Sequence, residues 1–338
     1  MHKIFKWIKR SLLGVLILII IILTIGFIFE RISRSNAEDL IPHGEFADVG
    51  GHKLHYYKKG NKRPTVVFES AFDPSGHLQW LVLQQDISKF ATTISYDRAG
   101  LLWSERGNNP KTGEAMAEEL HALLEKSGVS KPYILVGHSL GGLILRSFVS
   151  KYPQDVGGVI LVDSTCPNME DYLSDELYTM VNQGMPSGLM KFANSIGLLR
   201  LMFKDMFPDK EEYNYQNSLM PTLLYKSAYG ILEEQGQLMS IAKEANKVTS
   251  FGDTPLLVLS TSDRNNYDNL ISDEKMRNEL VDALARMQND QLKLSTNSEQ
   301  ILVSNSSHYI NEDQPEVIIE AVKKMIAITK LSKVNIEY

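Results

Sequence analysis

Short apolar runs alternate with helix-like segments along most of the chain after residue 44. Several of these runs are nearly continuous, as expected for strands buried on both faces of a parallel sheet. The intervening segments, such as 113–127 and 316–331, place apolar residues on one face at helical spacing. This alternation predicts an α/β fold with a mainly parallel central sheet flanked by helices. The predicted strands are 53–58, 65–68, 92–96, 133–136, 159–162, 255–259 and 300–303.

One long region interrupts the alternation. Residues 167–248 show no convincing strand and hold eight of the thirteen methionines of the chain. This pattern predicts a helical insertion into a core formed by residues 45–166 and 249–338. The methionines either fill the insertion's own core or line the adaptable apolar pocket of a mobile lid over the active site.

The N-terminus carries an uncharged apolar run from Leu12 to Phe29. As a helix this run would be about 27 Å long, close to the thickness of a bilayer's hydrocarbon core. Basic residues precede it, so we expect residues 1–30 to form a cytoplasmic basic segment and a transmembrane anchor, with the catalytic domain outside. Residues 31–44 would be a linker. The alternative is a secretory signal peptide cleaved near Ser35-Asn36-Ala37.

The overall composition excludes several classes of function. The net charge of −6 and the lack of a long basic block beyond the N-terminus argue against a nucleic-acid partner. Cys166 is the single cysteine, so the chain forms no internal disulfide and no thiolate metal cluster. Stability must therefore come from a packed core.

The segment that points to chemistry is Gly137-His138-Ser139-Leu140-Gly141. An apolar strand leads into it and a helical pattern follows, which is the strand, G-x-S-x-G, helix arrangement of a nucleophile elbow. The serine of such an elbow sits on a sharp, strained turn. Residues two before and two after it crowd together, which explains the glycines. Ser139 is therefore the candidate nucleophile.

A serine hydroxyl needs a base, and the base needs a third group that orients it. His308 is the candidate base because it follows the last predicted strand and precedes the last predicted helix. Asp263, after the strand 255–259, is the first candidate for the acid. Asp163, after the strand 159–162, is the alternative, and each aspartate also suits a turn or a helix cap.

The order Ser139, Asp263, His308 resembles that of the α/β-hydrolase superfamily, and the resemblance spans residues 44–331. Asp97-Arg98-Ala99-Gly100 resembles the structural turn after the family's fourth strand. The segment 306–315 resembles its histidine loop. The resemblance implies an α/β-hydrolase fold in which residues 167–248 occupy the place of the helical cap, between the sixth and seventh strands.

The resemblance also implies an oxyanion hole and excludes some relatives. Its backbone donors would be the N–H of Leu140 and, from the loop after 65–68, that of Phe72, with Ala71 next. Ser70-Ala71 stands where many relatives have His-Gly. Haloalkane dehalogenases and epoxide hydrolases of this fold use an aspartate nucleophile, which Ser139 is not. The glycine-rich motif of hormone-sensitive-lipase-like esterases and the Gly-Gly-Pro-Gly stretch of proline iminopeptidases are absent.

The resemblance implies a serine hydrolase of the carboxylesterase or lipase class that cleaves a small-molecule ester, and the apolar cap and the membrane segment suggest a hydrophobic acyl or alcohol part. No metal or organic cofactor is implied. Peptide, amide, thioester or lactone cleavage at the same residues is the alternative chemistry. A non-catalytic binding protein that kept the fold is the alternative outside enzymes. The sequence leaves the natural substrate and the oligomeric state open.

Overall fold

The computed structural model describes residues 2–184, 186–261 and 271–334. Its strands are β1 (Glu45–Asp48), β2 (Lys53–Lys59), β3 (Thr65–Glu69), β4 (Thr92–Tyr96), β5 (Tyr133–His138), β6 (Val156–Val162), β7 (Leu256–Thr261) and β8 (Ser298–Val303).

These strands form one sheet in the order β1-β2-β4-β3-β5-β6-β7-β8. The strands from β4 through β3, β5, β6 and β7 to β8 pair in parallel, whereas β1 and β2 pair antiparallel at one edge. Every side chain of β3 and of β5 is buried, because helices cover both faces of a parallel sheet. The predicted fold class is confirmed. Among the strands of the described residues, the short edge strand β1 is the one that the apolar pattern missed.

The α-helices of the described residues are α1 (His2–Glu38), α2 (Leu81–Ile87), α3 (Gly113–Ser127), α4 (Leu140–Lys151), α5 (Asp175–Val181), α6 (Ser187–Ser195), α7 (Leu198–Met202), α8 (Asn214–Gln235), α9 (Leu238–Asn246), α10 (Glu274–Gln291), α11 (Ile310–Asp313) and α12 (Pro315–Val334). Helix α3 shows how local sequence sets such bounds. Thr112 caps its start by accepting from the Ala115 N–H, and Gly128 ends it in the left-handed conformation.

The chain divides into two units. The larger unit comprises Pro42–Gly184 and Gly230–Tyr338 and contains the whole sheet. One apolar layer, which includes Leu135 and Phe148, packs on one face of the sheet. A second layer, which includes Val136 and Met325, packs on the other face, as the alternation of side chains along a strand requires.

Two segments of the predicted insertion belong to the larger unit. Residues 167–184 pack there because Leu173 and Leu177 share an apolar cluster with Leu280 of α10. Residues 230–248 pack there because Ile241 of α9 shares a cluster with Leu143 of α4. The unit boundaries in the structure are therefore 185 and 229, inside the predicted limits of 167 and 248.

The smaller unit comprises Met1–Ile41 and Met185–Tyr229. Helix α1 continues to Glu38, so the predicted linker 31–44 is helical over most of its length. The Glu30–Arg34 ion pair, four residues apart on one helix face, is one reason that the helix continues there. Within the described residues, α1 is the helix that is long and apolar enough to cross a membrane.

Candidate functional site

Ser139 stands at the turn between β5 and α4, as the sequence predicts. Its backbone has φ 51° and ψ −117°, a conformation that costs free energy in a residue other than glycine. Backbone hydrogen bonds hold it there: the Ser139 N–H donates to the Val162 carbonyl at 3.2 Å, and the Thr165 N–H donates to the Ser139 carbonyl at 3.1 Å. The Ser139 Oγ lies 3.3 Å from the Thr165 Oγ1.

The glycines around Ser139 are required by close contacts. A Cβ on Gly141 would lie 2.5 Å from the Glu69 carbonyl oxygen, and one on Gly142 would lie 1.8 Å from the Ser164 Oγ. A Cβ on Gly137 would lie 3.0 Å from the Gly141 carbonyl carbon. The first turn of α4 thus packs directly on the backbone of β3, and this packing brings the start of the helix to the end of the sheet.

His308 lies in the loop between β8 and α11, and its ring contacts an aspartate. The His308 Nδ1 is 2.6 Å from the Asp163 Oδ2. Asp163 directly follows β6, and its other oxygen accepts from the Thr261 N–H at 3.3 Å. Like Ser139, Asp163 has a positive φ, of 39°. Strained backbone at two adjacent strand ends is typical of functional sites.

The structure thus brings His308 together with Asp163, the alternative acid that the sequence offers. Asp263, the first candidate, lies outside the described residues. An aspartate on Nδ1 places the ring proton on that nitrogen and leaves the Nε2 lone pair free to accept a proton.

A buried chain of hydrogen bonds joins the loop after β3 to the His308 loop. The Ala71 N–H donates to the Gln79 Oε1 at 3.0 Å, so the amide nitrogen of Gln79 faces the His138 Nδ1, at 2.5 Å. The His138 Nε2 then carries the proton and donates to the His308 carbonyl at 2.9 Å. Burial lowers the pKa of His138 well below its ordinary value, and the nearby His308 lowers it further. His138 is therefore neutral in this chain.

A second buried network holds the carbonyl groups of the same loop. The Arg98 guanidinium donates to the Ser70 and Ala71 carbonyls, each at 2.8 Å, and to Glu69 at 2.9 Å. It also forms a bidentate pair with Glu234, both bonds being 2.8 Å. Burial alone would lower the pKa of Arg98, but the charge and hydrogen bonds of Glu234 and Glu69 raise it well above its ordinary value.

The two networks fix the direction of the peptide between Ala71 and Phe72. The Ala71 N–H is occupied by Gln79, and the Ala71 carbonyl points at Arg98. Because a trans peptide is planar, the Phe72 N–H points to the side opposite Arg98. Of the two predicted donors in this loop, the geometry therefore leaves the Phe72 amide. The Leu140 amide is at the start of α4, where the first N–H groups have no partner within the helix.

Two groups of side chains in the described residues have the composition of a metal site, and both are occupied by other interactions. His55 and His77 each place their Nδ1 on the Asp97 carboxylate, at 2.8 and 2.7 Å. Burial would raise the pKa of Asp97, but the charge and hydrogen bonds of the two histidines hold it well below its ordinary value.

The second group is His121, Glu125 and Asp155. Here the Lys131 ammonium lies where a metal ion would bind, since its Nζ is 2.5 Å from Glu125 and 2.8 Å from Asp155.

Sequence patterns did not single out Gln79, Glu234 or Thr165. Gln79 and Glu234 are polar residues in otherwise helix-like segments, and only their burial distinguishes them from surface residues. The sequence predicts only a structural turn at Arg98. In the structure, Arg98 holds the loop of Ala71 and Phe72 by donating to the Ala71 carbonyl.

Comparison with known proteins supports the fold described above. A family model described as alpha/beta hydrolase fold matches residues 64–202. The uncharacterized protein YqjL of Bacillus subtilis is 25% identical over 275 residues, which span 81% of this chain and 88% of YqjL. The 2-(acetamidomethylene)succinate hydrolase of Mesorhizobium japonicum is 25% identical over 283 residues, 82% of this chain and 93% of that enzyme.

Solved structures share the fold. A thermophilic esterase from Thermogutta terrifontis superposes with a TM-score of 0.56 and 18% identity, over 82% of this chain and 94% of the esterase. An epoxide hydrolase and a haloalkane dehalogenase are among the other structures that superpose. At such low identity the likeness establishes the fold alone.

The neutral, buried His138 leads to a prediction on pH. Because its pKa is lower in the folded than in the unfolded chain, the unfolded chain binds the extra proton below about pH 6.5. We therefore expect the free energy of unfolding to decrease as the pH is lowered from 7.5 to 5.5. His138 should contribute up to about 1.4 kcal/mol per pH unit to this slope. Urea unfolding of the full chain in detergent, followed by tryptophan fluorescence, measures this slope.

His138→Asn removes that contribution and should flatten the slope, whatever its effect on stability at pH 7.5. Gln79→Leu is the matched control, because it breaks the same hydrogen-bond chain but keeps the histidine, and we expect it to lower stability while retaining the slope. An unchanged slope in His138→Asn would contradict the neutral state of His138.

Proposed function

We propose that this chain, which belongs to the α/β-hydrolase superfamily, is a serine hydrolase with Ser139 as its nucleophile. The observation that carries the proposal is the 2.6 Å contact between His308 and Asp163, on loops that follow strands of the same parallel sheet as the Ser139 turn. The carboxyl ends of parallel strands meet at one edge of the sheet, where α/β proteins place their active sites.

The proposed reaction begins when the His308 Nε2 accepts the proton of the Ser139 hydroxyl as its oxygen attacks a substrate carbonyl. Asp163 holds the ring and stabilises the imidazolium that forms. His308 then returns the proton to the leaving alcohol as the tetrahedral intermediate collapses to an acyl-enzyme. A water molecule, deprotonated by His308, releases the acid and regenerates Ser139.

The proposed oxyanion hole consists of the Leu140 and Phe72 amides. Negative charge develops on the substrate carbonyl oxygen during attack, and backbone N–H groups aimed at it stabilise the transition state. Support comes from the peptide direction described above and from the start of α4, where the helix dipole also favours a negative charge.

A carboxylic ester with a hydrophobic part is the proposed substrate. The side chains of Phe72 and Leu140, which flank the proposed oxyanion hole, pack in one apolar cluster with Leu238. An apolar wall beside the reacting carbonyl favours an apolar acyl or alcohol group over a charged one. Neither the proposed mechanism nor the groups around it requires a metal or an organic cofactor.

Amide hydrolysis is a second candidate. It is favoured by the relative named 2-(acetamidomethylene)succinate hydrolase, which aligns over 82% of this chain. The same serine, histidine and oxyanion donors serve both reactions, because the tetrahedral intermediate is common to esters and amides.

The proposed location is the cell membrane, with the N-terminus in the cytoplasm and the catalytic unit outside. Helix α1 supports it, since the apolar run 12–29 lies in a helix whose most hydrophobic window has a mean hydropathy of 3.3 and is not buried. The basic residues before the run favour the cytoplasmic side.

Labelling with a fluorophosphonate probe tests the nucleophile. We expect the full chain in detergent to react at Ser139, as shown by peptide mapping, and the labelling rate to fall at least about 1,000-fold in Ser139→Ala and in His308→Ala. Ser174→Ala, which alters an exposed serine without a capping hydrogen bond, should label like the wild type. A folded wild type that takes no label would favour a binding protein instead.

Substitution of each candidate acid tests the role of Asp163. We expect Asp163→Asn to slow labelling by about 10³- to 10⁴-fold, because an amide on Nδ1 favours the wrong tautomer of His308. Asp263→Asn is the matched variant and should stay within about threefold of the wild type. The opposite pattern would assign the acid to Asp263. Melting temperatures of both variants separate loss of fold from loss of activation.

A matched pair of substrates tests the reaction class. With one apolar acyl group on a nitrophenyl ester and on the corresponding nitroanilide, we expect the ester to have a kcat/KM at least about 100-fold higher. Equal or faster turnover of the anilide would instead identify an amidase. Loss of both activities in Ser139→Ala controls for contaminating hydrolases.

A further inference from the structure

Two short helices of the smaller unit expose apolar side chains. On α6, Leu189 and Phe192 are 55% and 48% exposed, while Met190 and Ala193 are buried. On α7, Leu199 is buried, whereas Leu198, Leu201 and Met202 are exposed. We call the exposed set the α6–α7 apolar face: Leu189, Phe192, Leu198, Leu201 and Met202. Its members recur three or four residues apart on each helix, so each helix has a continuous apolar side.

The turn between α6 and α7 packs against α1. A Cβ on Gly26 would lie 2.7 Å from the Ile196 carbonyl oxygen, so the two backbones are in direct contact. One residue further, a Cβ on Gly197 would lie 3.2 Å from the Glu30 Oε2 and 3.8 Å from the Phe29 ring. Gly26 and Phe29 are within the apolar run 12–29. The turn therefore contacts the last helical turn of the proposed membrane segment.

Charged groups fix this contact. Glu30 is 1% exposed and accepts hydrogen bonds from Arg34 at 2.7 Å and from Arg200 at 2.5 Å. Arg200 also donates to the Pro221 and Thr222 carbonyls of α8, at 2.5 and 2.9 Å. A buried carboxylate with two guanidinium partners holds α1 and α7 in one arrangement, because separation would leave its charge unpaired.

Arg34 connects α1 to α6 as well. Its guanidinium donates to the Asn194 carbonyl at the end of α6, at 2.6 Å, and lies 5.0 Å from the centre of the Tyr225 ring. Both helices of the apolar face are thus joined to α1 just beyond the apolar run. Their depth relative to a membrane is set by the depth of α1.

We propose that the α6–α7 apolar face inserts into the lipid headgroup region of the bilayer that α1 enters. The inference rests on the membrane anchoring in the proposed function, but not on the chemistry at Ser139. The run 12–29 ends about 4.5 Å beyond Gly26 along the helix, so the turn at Ile196 lies at the edge of the hydrocarbon region. Short helices with one apolar side bind membranes in this position.

A lipid surface fits this face better than a protein partner. The turn between the two helices of the apolar face contacts α1, whose side chains along the apolar run are mostly exposed and need lipid around them. A bilayer covers both surfaces at once. Exposed Lys191 on α6 adds a cation next to Phe192, which suits an anionic headgroup.

Depth-dependent fluorescence quenching tests the proposal on the full chain. With Cys166→Ser as background, single cysteines replace Ile22, Phe192, Leu201 or Leu302 and carry an environment-sensitive nitrobenzoxadiazole label. The protein is reconstituted into phosphatidylcholine–phosphatidylglycerol vesicles without nitroxide lipids, with lipids that bear a nitroxide near the headgroup, or with lipids that bear it deep in the acyl chain. We expect labels at Phe192 and Leu201 to be quenched at least about twofold.

Leu302 is the matched control, because it and Leu201 are both leucines with 68% exposure. The label at Ile22 reports whether α1 is in the bilayer. If Ile22 is quenched by deep nitroxides but Leu201 and Phe192 are quenched no more than Leu302, the apolar face does not enter the membrane and the inference fails while the anchor stands. If Ile22 is not quenched, both fail. Fluorophosphonate labelling of the same vesicles reads the proposed chemistry separately.

Discussion

The close approach of α4 to β3 is the constraint on which the rest of the site depends. Because Gly141 lies against the Glu69 backbone, α4 begins at the end of the sheet and the peptide at Ser139 must turn through a strained conformation. Backbone hydrogen bonds of Ser139 with Val162 of β6 and with Thr165 hold the residue in this strained conformation. A sheet with buried neighbours on both sides of β5 supplies the rigidity that keeps this turn in place.

Polar networks extend that constraint to the neighbouring loops. Gln79 and His138 tie the loop of Ala71 to that of His308, and Arg98 holds the same loop from its other side. Buried hydrogen bonds are directional and costly to leave unmade, so they select one loop conformation where apolar packing would accept several. The groups around Ser139 are therefore set by a small number of buried polar residues that do not themselves react.

Fold class, seven of the eight described strands and the positions of Ser139 and His308 follow from patterns along the sequence, because apolar periodicity and the glycines of the turn are local signals. The sequence leaves the choice between Asp163 and Asp263 open, since each comes after a predicted strand. The structure places Asp163 against His308, whereas Asp263 lies outside the described residues. The roles of Gln79 and Glu234 could not be predicted from the sequence either, because the pattern does not show whether a polar residue in a helical segment is exposed or buried. Residues 31–38 continue α1 partly through contacts with distant residues, since Arg34 donates to the Asn194 carbonyl and Arg200 pairs with Glu30.

The Arg98 network has a consequence for the evolution of the chain. Its guanidinium is balanced by Glu69, which precedes it by 29 positions, and by Glu234, which follows it by 136. Loss of Arg98 leaves two buried carboxylates without their shared cation, and loss of either carboxylate removes part of the charge that balances Arg98. A lineage that changes one of these positions alone is therefore expected to pass through a destabilised intermediate. We therefore expect positions 69, 98 and 234 to change together among relatives of this chain, and an insertion or deletion between 98 and 234 to be tolerated when it returns a carboxylate to the same place.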